Sequence, residues 1–214
     1  MKKTDLTGVV RVTLLLLVLA LASCRATVAD YDDKPIDVSR HPIQISVEKS
    51  PSIVFEKSGW KWMLTPKAKY TLSGLVLHRE RYHTGWNSIV SPCDVAMAWG
   101  PLVTDGTYKD IHWSQSGRWY WWRYGGDFPY DNAFIAKYSS NNHIIPGSPN
   151  LKRALSMIKR GRKCELQGLL VNVDGSKGGK KVWWHSSLSR EDRGDGSCEI
   201  LYLLRIKVNG KVYE

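Results

Sequence analysis

Residues 198–208 read Cys198-Glu199-Ile200-Leu201-Tyr202-Leu203-Leu204-Arg205-Ile206-Lys207-Val208. Ile200, Tyr202, Leu204, Ile206 and Val208 recur every second residue, the period at which side chains of an extended strand share a face. Leu201 and Leu203 make part of the other face apolar as well. A strand that is apolar on both sides belongs near the centre of a sheet.

Working outward, the same period recurs along the chain. Ile43, Ile45 and Val47 alternate with Gln44, Ser46 and Glu48, which predicts a half-buried strand. Further strands are expected at 53–55, 60–64, 70–79 (with Gly74 marking a bulge or bend), 95–99, 108–113, 118–124, 163–173 and 182–185. One helix is expected near 149–160. Ser148 is its N-cap, Pro149 takes the first turn, and Leu151, Ala154, Leu155 and Ile158 form one face. Gly161 closes it. Many strands and one late helix predict a mainly β fold, either a β-barrel or a compact β-sandwich. The order of strands, a helix, then residues 163–173 and a closing strand is similar to an oligonucleotide/oligosaccharide-binding (OB) barrel. That OB-like reading makes the strands before Tyr70 additions.

The N-terminus has a basic start at Lys2 and Lys3, an apolar run from Leu14 to Ala22, and then Leu21-Ala22-Ser23-Cys24. The apolar run is well under the roughly 18 residues needed to span a bilayer. This segment resembles a bacterial lipoprotein signal peptide with its lipobox. The resemblance covers residues 1–24 only. It implies that residues 1–23 are removed and that Cys24 becomes the lipidated (palmitate-bearing) N-terminus, with the membrane as a partner through that lipid. An Asp after the Cys would favour retention at the inner membrane in such lipoproteins. Arg25 stands there, so the expected localisation is the cell envelope, at the outer membrane facing the periplasm or the surface. Residues 24–42 are polar and read as a tether. Residues 43–214 then form a single β-rich domain, long enough for a real core.

Losing Lys2, Lys3, Arg11 and Asp5 with the signal takes the formal charge from +11 to +9. The ten Trp and ten Tyr against three Phe give many rings with a polar handle. Basic charge with such rings suits a glycan, an anionic polymer or an envelope protein partner. Cys93 and Cys198 open two expected strands, so a disulfide is expected between them if one forms. The chain has no Cys-x-x-Cys, no nucleophile elbow, no phosphate-binding Gly loop and no His-Glu-x-x-His. No cofactor or metal is expected.

Three segments carry the candidate site residues. Arg118-Trp119-Tyr120-Trp121-Trp122-Arg123-Tyr124 puts Trp119, Trp121 and Arg123 on one strand face, and Arg118, Tyr120, Trp122 and Tyr124 on the other. Ser139-Ser140-Asn141-Asn142-His143 supplies Asn142 and His143, with His143 the one candidate general base. The polar loop 186–197 supplies Arg190, with Asp192 and Asp195. A binding module should present Arg118, Trp121, Arg123, Asn142, His143 and Arg190 together at one end of the fold. The alternative, a secreted hydrolase or nuclease, should gather His143 with loop carboxylates in a cleft.

Overall fold

The structure, a computed structural model, describes residues 25–189 and 197–214. Cys24, Arg190, Asp192 and Asp195 lie outside the described residues. The described chain forms strands β1 (Asp30–Tyr31), β2 (Ile43–Ser46), β3 (Ile53–Lys57), β4 (Trp60–Arg81), β5 (Cys93–Ala98), β6 (His112–Ser116), β7 (Trp119–Arg123), β8 (Ser139–Pro146), β9 (Lys163–Lys177), β10 (Lys180–Trp184), β11 (Glu199–Val208) and β12 (Lys211–Tyr213). Four short helices accompany them: α1 (Trp86–Val90), α2 (Pro101–Thr104), α3 (Asn132–Lys137) and α4 (Pro149–Ala154). The fold is mainly β, as expected.

Five strands close a ring. β4 pairs with β5, β5 with β8, β8 with β11, β11 with β9, and β9 with β4. All are antiparallel except β8 and β11, which run parallel. Parallel neighbours need a crossover, and the chain supplies it through α4 and the length of β9. Strands, α4 and closing strands follow in the expected order, but α1, α2 and α3 precede α4 where one helix was expected, and residues 60–64 belong to the ring strand β4 rather than to an addition.

The interior of the ring is filled by Tyr70, Leu72, Met97, Ile144, Leu166, Leu203 and their neighbours, with Leu151, Ala154, Leu155 and Ile158 packed against them. Burying each large apolar side chain contributes roughly 1.5–3 kcal/mol. α4 starts where predicted but ends at Ala154, well short of residue 160. Ser148 Oγ accepts from Leu151 N at 3.0 Å, Pro149 follows, and a 3₁₀ turn at Leu155–Met157 extends the apolar face.

Three bulges set the faces; in one, at Leu77, β4 carries an extra residue against β5, so Val76 points inside while Leu77 and His78 point outward. At Lys67, β4 carries an extra residue against β9, so Trp62 and Leu64 point outside the ring while Ala68, Tyr70 and Leu72 point inside. At Leu204, β11 does the same against β9. Ile206 and Val208 therefore join Leu201 and Leu203 in the interior, rather than sharing a face with Ile200 and Tyr202. A strict period of two cannot show this switch. The expected strands 60–64 and 70–79 are one strand, β4. Gly74 sits where its partner changes from β9 to β5, and a Cβ there would lie 2.7 Å from Ala98 O.

Four hairpins turn on two successive residues with positive φ: Ser58-Gly59, Gly117-Arg118, Gly178-Gly179 and Asn209-Gly210. This is the turn whose twist matches that of paired strands.

Several expectations are corrected. Residues 25–42 do not hang as a free tether. β1 pairs with β12, Thr27 and Asn150 exchange hydrogen bonds at 2.7 and 2.9 Å, and Lys207 Nζ meets Asp32 Oδ2 at 2.6 Å. β2 is an outer strand with Ile43 and Ile45 exposed, not half-buried, because it pairs only with β4. The strand expected from Tyr108 begins at His112, after a 3₁₀ turn at Thr107–Asp110. The polar segment 139–143 is part of a buried strand, β8.

Cys93 and Cys198 are not joined by a disulfide, so the expected bridge is corrected. Cys93, Ile144 and Leu201 lie in one row across β5, β8 and β11. Two strand spacings are about 10 Å, beyond the roughly 7 Å a disulfide spans between Cα atoms.

Gly168 packs its Cα face onto the Tyr202 carbonyl with no room for a Cβ. Gly168→Ala should lower stability by about 1–3 kcal/mol, read as a shift of the urea midpoint. Burial pushes the Cys93 and Cys164 thiols from 9.0 up to about 12. They stay protonated in the folded chain where an unfolded thiol ionises. The stability this contributes is full below about pH 9 and lost as pH rises towards 12. A thiol-specific disulfide reagent at pH 8 should label half-buried Cys198 first, and Cys93 and Cys164 only on unfolding.

Candidate functional site

Asp94 is an acid in an otherwise apolar stretch, Cys93-Asp94-Val95-Ala96-Met97. Alternation on β5 sends Cys93, Val95 and Met97 into the ring, and Asp94, Ala96 and Ala98 outward. The β6–β7 hairpin packs on that outer face through Trp113, Tyr120 and Trp122. Asp94 is thus fully buried, and a buried carboxylate requires partners.

Arg118 is the main partner. Its Nη1 donates to Asp94 Oδ1 at 2.7 Å, and its Nη2 donates to Ser91 O at 2.9 Å. The guanidinium stacks 3.9 Å from the centre of the Tyr82 ring, and Arg118 N donates to Tyr82 Oη at 3.1 Å. Arg118 is not a strand residue, as the sequence suggested. It occupies the second position of the hairpin turn at φ 74°. That conformation is uncommon for a side chain larger than Gly, and it brings the backbone at Arg118 under the Asn141 amide, which donates to Arg118 O at 2.9 Å.

His143 comes from β8, directly across the ladder from Asp94. Its Nδ1 lies 2.9 Å from Asp94 Oδ2, a short electrostatic contact off the line of a hydrogen bond. The Trp184 ring covers it at 4.4 Å between centroids. Gln115 Nε2 donates to Asn141 Oδ1 at 2.7 Å, and His78 Nδ1 to Gln115 Oε1 at 2.9 Å. Burial, and then the Asp94 charge, push the Tyr82 phenol up to about 12, so it stays neutral beside the pair.

The predicted residues are divided by this arrangement. Arg118 and His143 meet through Asp94. Asn142 faces the ring interior with Ser140 and Ile144, donating to Val95 O at 3.1 Å and Ser140 Oγ at 2.9 Å. Its neighbour Asn141 joins Arg118 instead, because successive residues of a strand point to opposite faces. Trp121 and Arg123 lie on the outer side of the hairpin with Trp119, away from Asp94. Sequence reasoning missed Asp94, Gln115, Asn141 and Tyr82. The usable signal was the lone carboxylate within an apolar strand.

The outer hairpin face forms a second part of the site. Cross-strand pairs are Ser116 with Trp119, Ser114 with Trp121, and His112 with Arg123. Trp121 is 56% exposed, and its ring centre is 6.2 Å from that of Trp119. Arg123 is exposed at the same face. This face carries no carboxylate. The hairpin is tied down at its other end, where Trp122 Nε1 donates to Asn132 Oδ1 at 2.8 Å.

Among the described residues, no group of three or more His, Cys, Asp or Glu is placed to hold a metal, and no helix is long and apolar enough to cross a membrane. No known protein family, curated protein or solved structure matches this chain.

Removing one member of a buried pair strands the other. Asp94→Ala and Arg118→Met should each destabilise by about 3 kcal/mol or more, and the double variant by less than the sum of the two. Chemical denaturation of the four proteins measures that coupling.

Proposed function

We propose that this protein is a lipid-anchored envelope lipoprotein whose β domain is a binding module for an acidic glycan. The observation that carries the reading is the outer face of the β6–β7 hairpin. It holds two neighbouring indoles, one exposed Arg and a row of hydroxyls, with no acid. Flat indoles stack on the C–H faces of sugar rings, while Arg takes a carboxylate or phosphate. The buried Arg118–Asp94 pair holds this face rigidly on the ring, which lowers the ordering cost of binding.

The hydrolase alternative asks more of His143. A general base must reach the proton it removes, and His143 is 2% exposed, enclosed by Asp94 and Trp184. Its partner carboxylate is a strand residue rather than a loop acid. This geometry favours a structural part for His143.

The lipobox resemblance supports the anchor on Cys24. Cys24→Ser should release the protein from the membrane fraction, and the mature protein should carry acyl mass. Trp121→Ala should weaken retention on an immobilised acidic polysaccharide about tenfold without lowering the unfolding midpoint. Retention should also fall as salt rises. Equal retention of the wild-type protein and Trp121→Ala would remove the hairpin face from the function.

A further inference from the structure

Lys159-Arg160-Gly161-Arg162-Lys163 places four cations around one glycine between α4 and β9. The turn is fixed to β4. Gly161 N donates to Val76 O at 2.8 Å, and Val76 N donates to Arg162 O at 2.9 Å. Gly161 itself has φ 77° and open space where a Cβ would stand. A cavity opens on each side of it.

The first cavity, about 240 Å³, is bounded by Val76, Leu77, Trp113 and Tyr108, with Lys109 and Arg160 at its edge. The second, about 300 Å³, is bounded by Lys34, Arg162, Lys163 and Asn209, with Asp33 and Lys207. Five separate parts of the chain meet here: the docked N-terminal segment, β4, the approach to β6, the turn before β9, and the end of β11 with its turn.

We propose that these two cavities are adjoining subsites for an acidic oligosaccharide, with a sugar ring in the first and acidic groups reaching the second. The charges set the sign of the ligand. Lys34, Lys109, Arg160, Arg162 and Lys163 are all exposed, whereas Lys207 is paired with Asp32 and donates to Lys34 O. Asp33 is the one carboxylate among the residues bounding either cavity. Cations gathered in concave places raise the local concentration of anions. The apolar floor sets the shape. Val76, Leu77 and Trp113 are buried, so the half-buried Tyr108 is the apolar side chain with surface to offer, and a bare inorganic anion gains nothing from it. A sugar ring gains from both, through its C–H face on the half-buried Tyr108 and its carboxylate on Lys109 or Arg160.

The proposal rests on the reading of the domain as a glycan-binding module, but it uses none of the hairpin residues that carry that reading. The test is calorimetric titration of the full chain with a linear hexuronic acid trisaccharide, its neutral methyl ester, and inorganic phosphate. The acid should bind, and esterification should weaken it about tenfold or more. The Arg160→Gln, Arg162→Gln double variant should lose a similar factor, and Tyr108→Ala should weaken binding several-fold. Lys180→Gln, at an exposed cation that bounds neither cavity, should leave the trisaccharide affinity within about twofold. Equal binding of acid and ester overturns the proposal, as does full competition by phosphate. Loss of the trisaccharide in Trp121→Ala but not in the double variant overturns it while leaving the hairpin reading intact. Absence of binding to both the trisaccharide and the immobilised polysaccharide overturns both. Capture by phosphatidylglycerol vesicles that depends on Arg160 and Arg162, without trisaccharide binding, assigns the cleft to a lipid surface and overturns it as well.

Discussion

A carboxylate with no exposure to water sits at the middle of this molecule, and much of the outer architecture answers to it. Asp94 cannot remain charged in that place without a cation and donors close by. Arg118 supplies them from the tip of a hairpin that would otherwise project into solvent. The pair therefore converts a two-stranded ribbon, marginal by itself, into a layer fastened on the ring. Trp113, Tyr120 and Trp122 complete that layer with apolar contact. Tyr82, Ser91 and Asn141 hold Arg118 in turn, so the fastening is a network rather than one bond.

The same constraint explains why β8 is polar and yet buried. Ser139, Asn141 and His143 face the hairpin, where Tyr120, Gln115, Arg118 and Asp94 meet their polar atoms. Burial of polar groups is tolerable when each has a partner. The hairpin thus has two sides with different work. Its inner side closes the network and its outer side presents Trp119, Trp121 and Arg123. Rigidity on one side supplies the fixed geometry that recognition on the other side uses.

The docked N-terminal segment has a comparable effect. Its contacts with β12 and with Asn150 place Asp32, Asp33 and Lys34 beside the turn that carries Arg160 and Arg162. A segment that is polar in sequence becomes one wall of a cleft, because the edge of β12 offers unpaired backbone groups and a short strand satisfies them.

By itself the sequence determined the fold class, the start of the helix at Pro149, the central position of 199–208 and the alternation that sends Trp119, Trp121 and Arg123 to one side. These follow from local chemistry: the period of apolar residues, the Ser148-Pro149 start and the pleat of a strand. It also marked Arg118 and His143 as residues of interest. It did not reveal that they share Asp94, that Asn141 rather than Asn142 joins them, or that β4 and β11 change faces at Lys67 and Leu204. It also left 139–143 without a strand assignment and paired Cys93 with Cys198. Each of these depends on which strand lies beside which. A bulge is defined against a partner strand, a buried polar residue is acceptable only if a distant residue meets it, and a disulfide needs two strands to be neighbours. Only the closing of the ring, with β8 between β5 and β11, decided those matters.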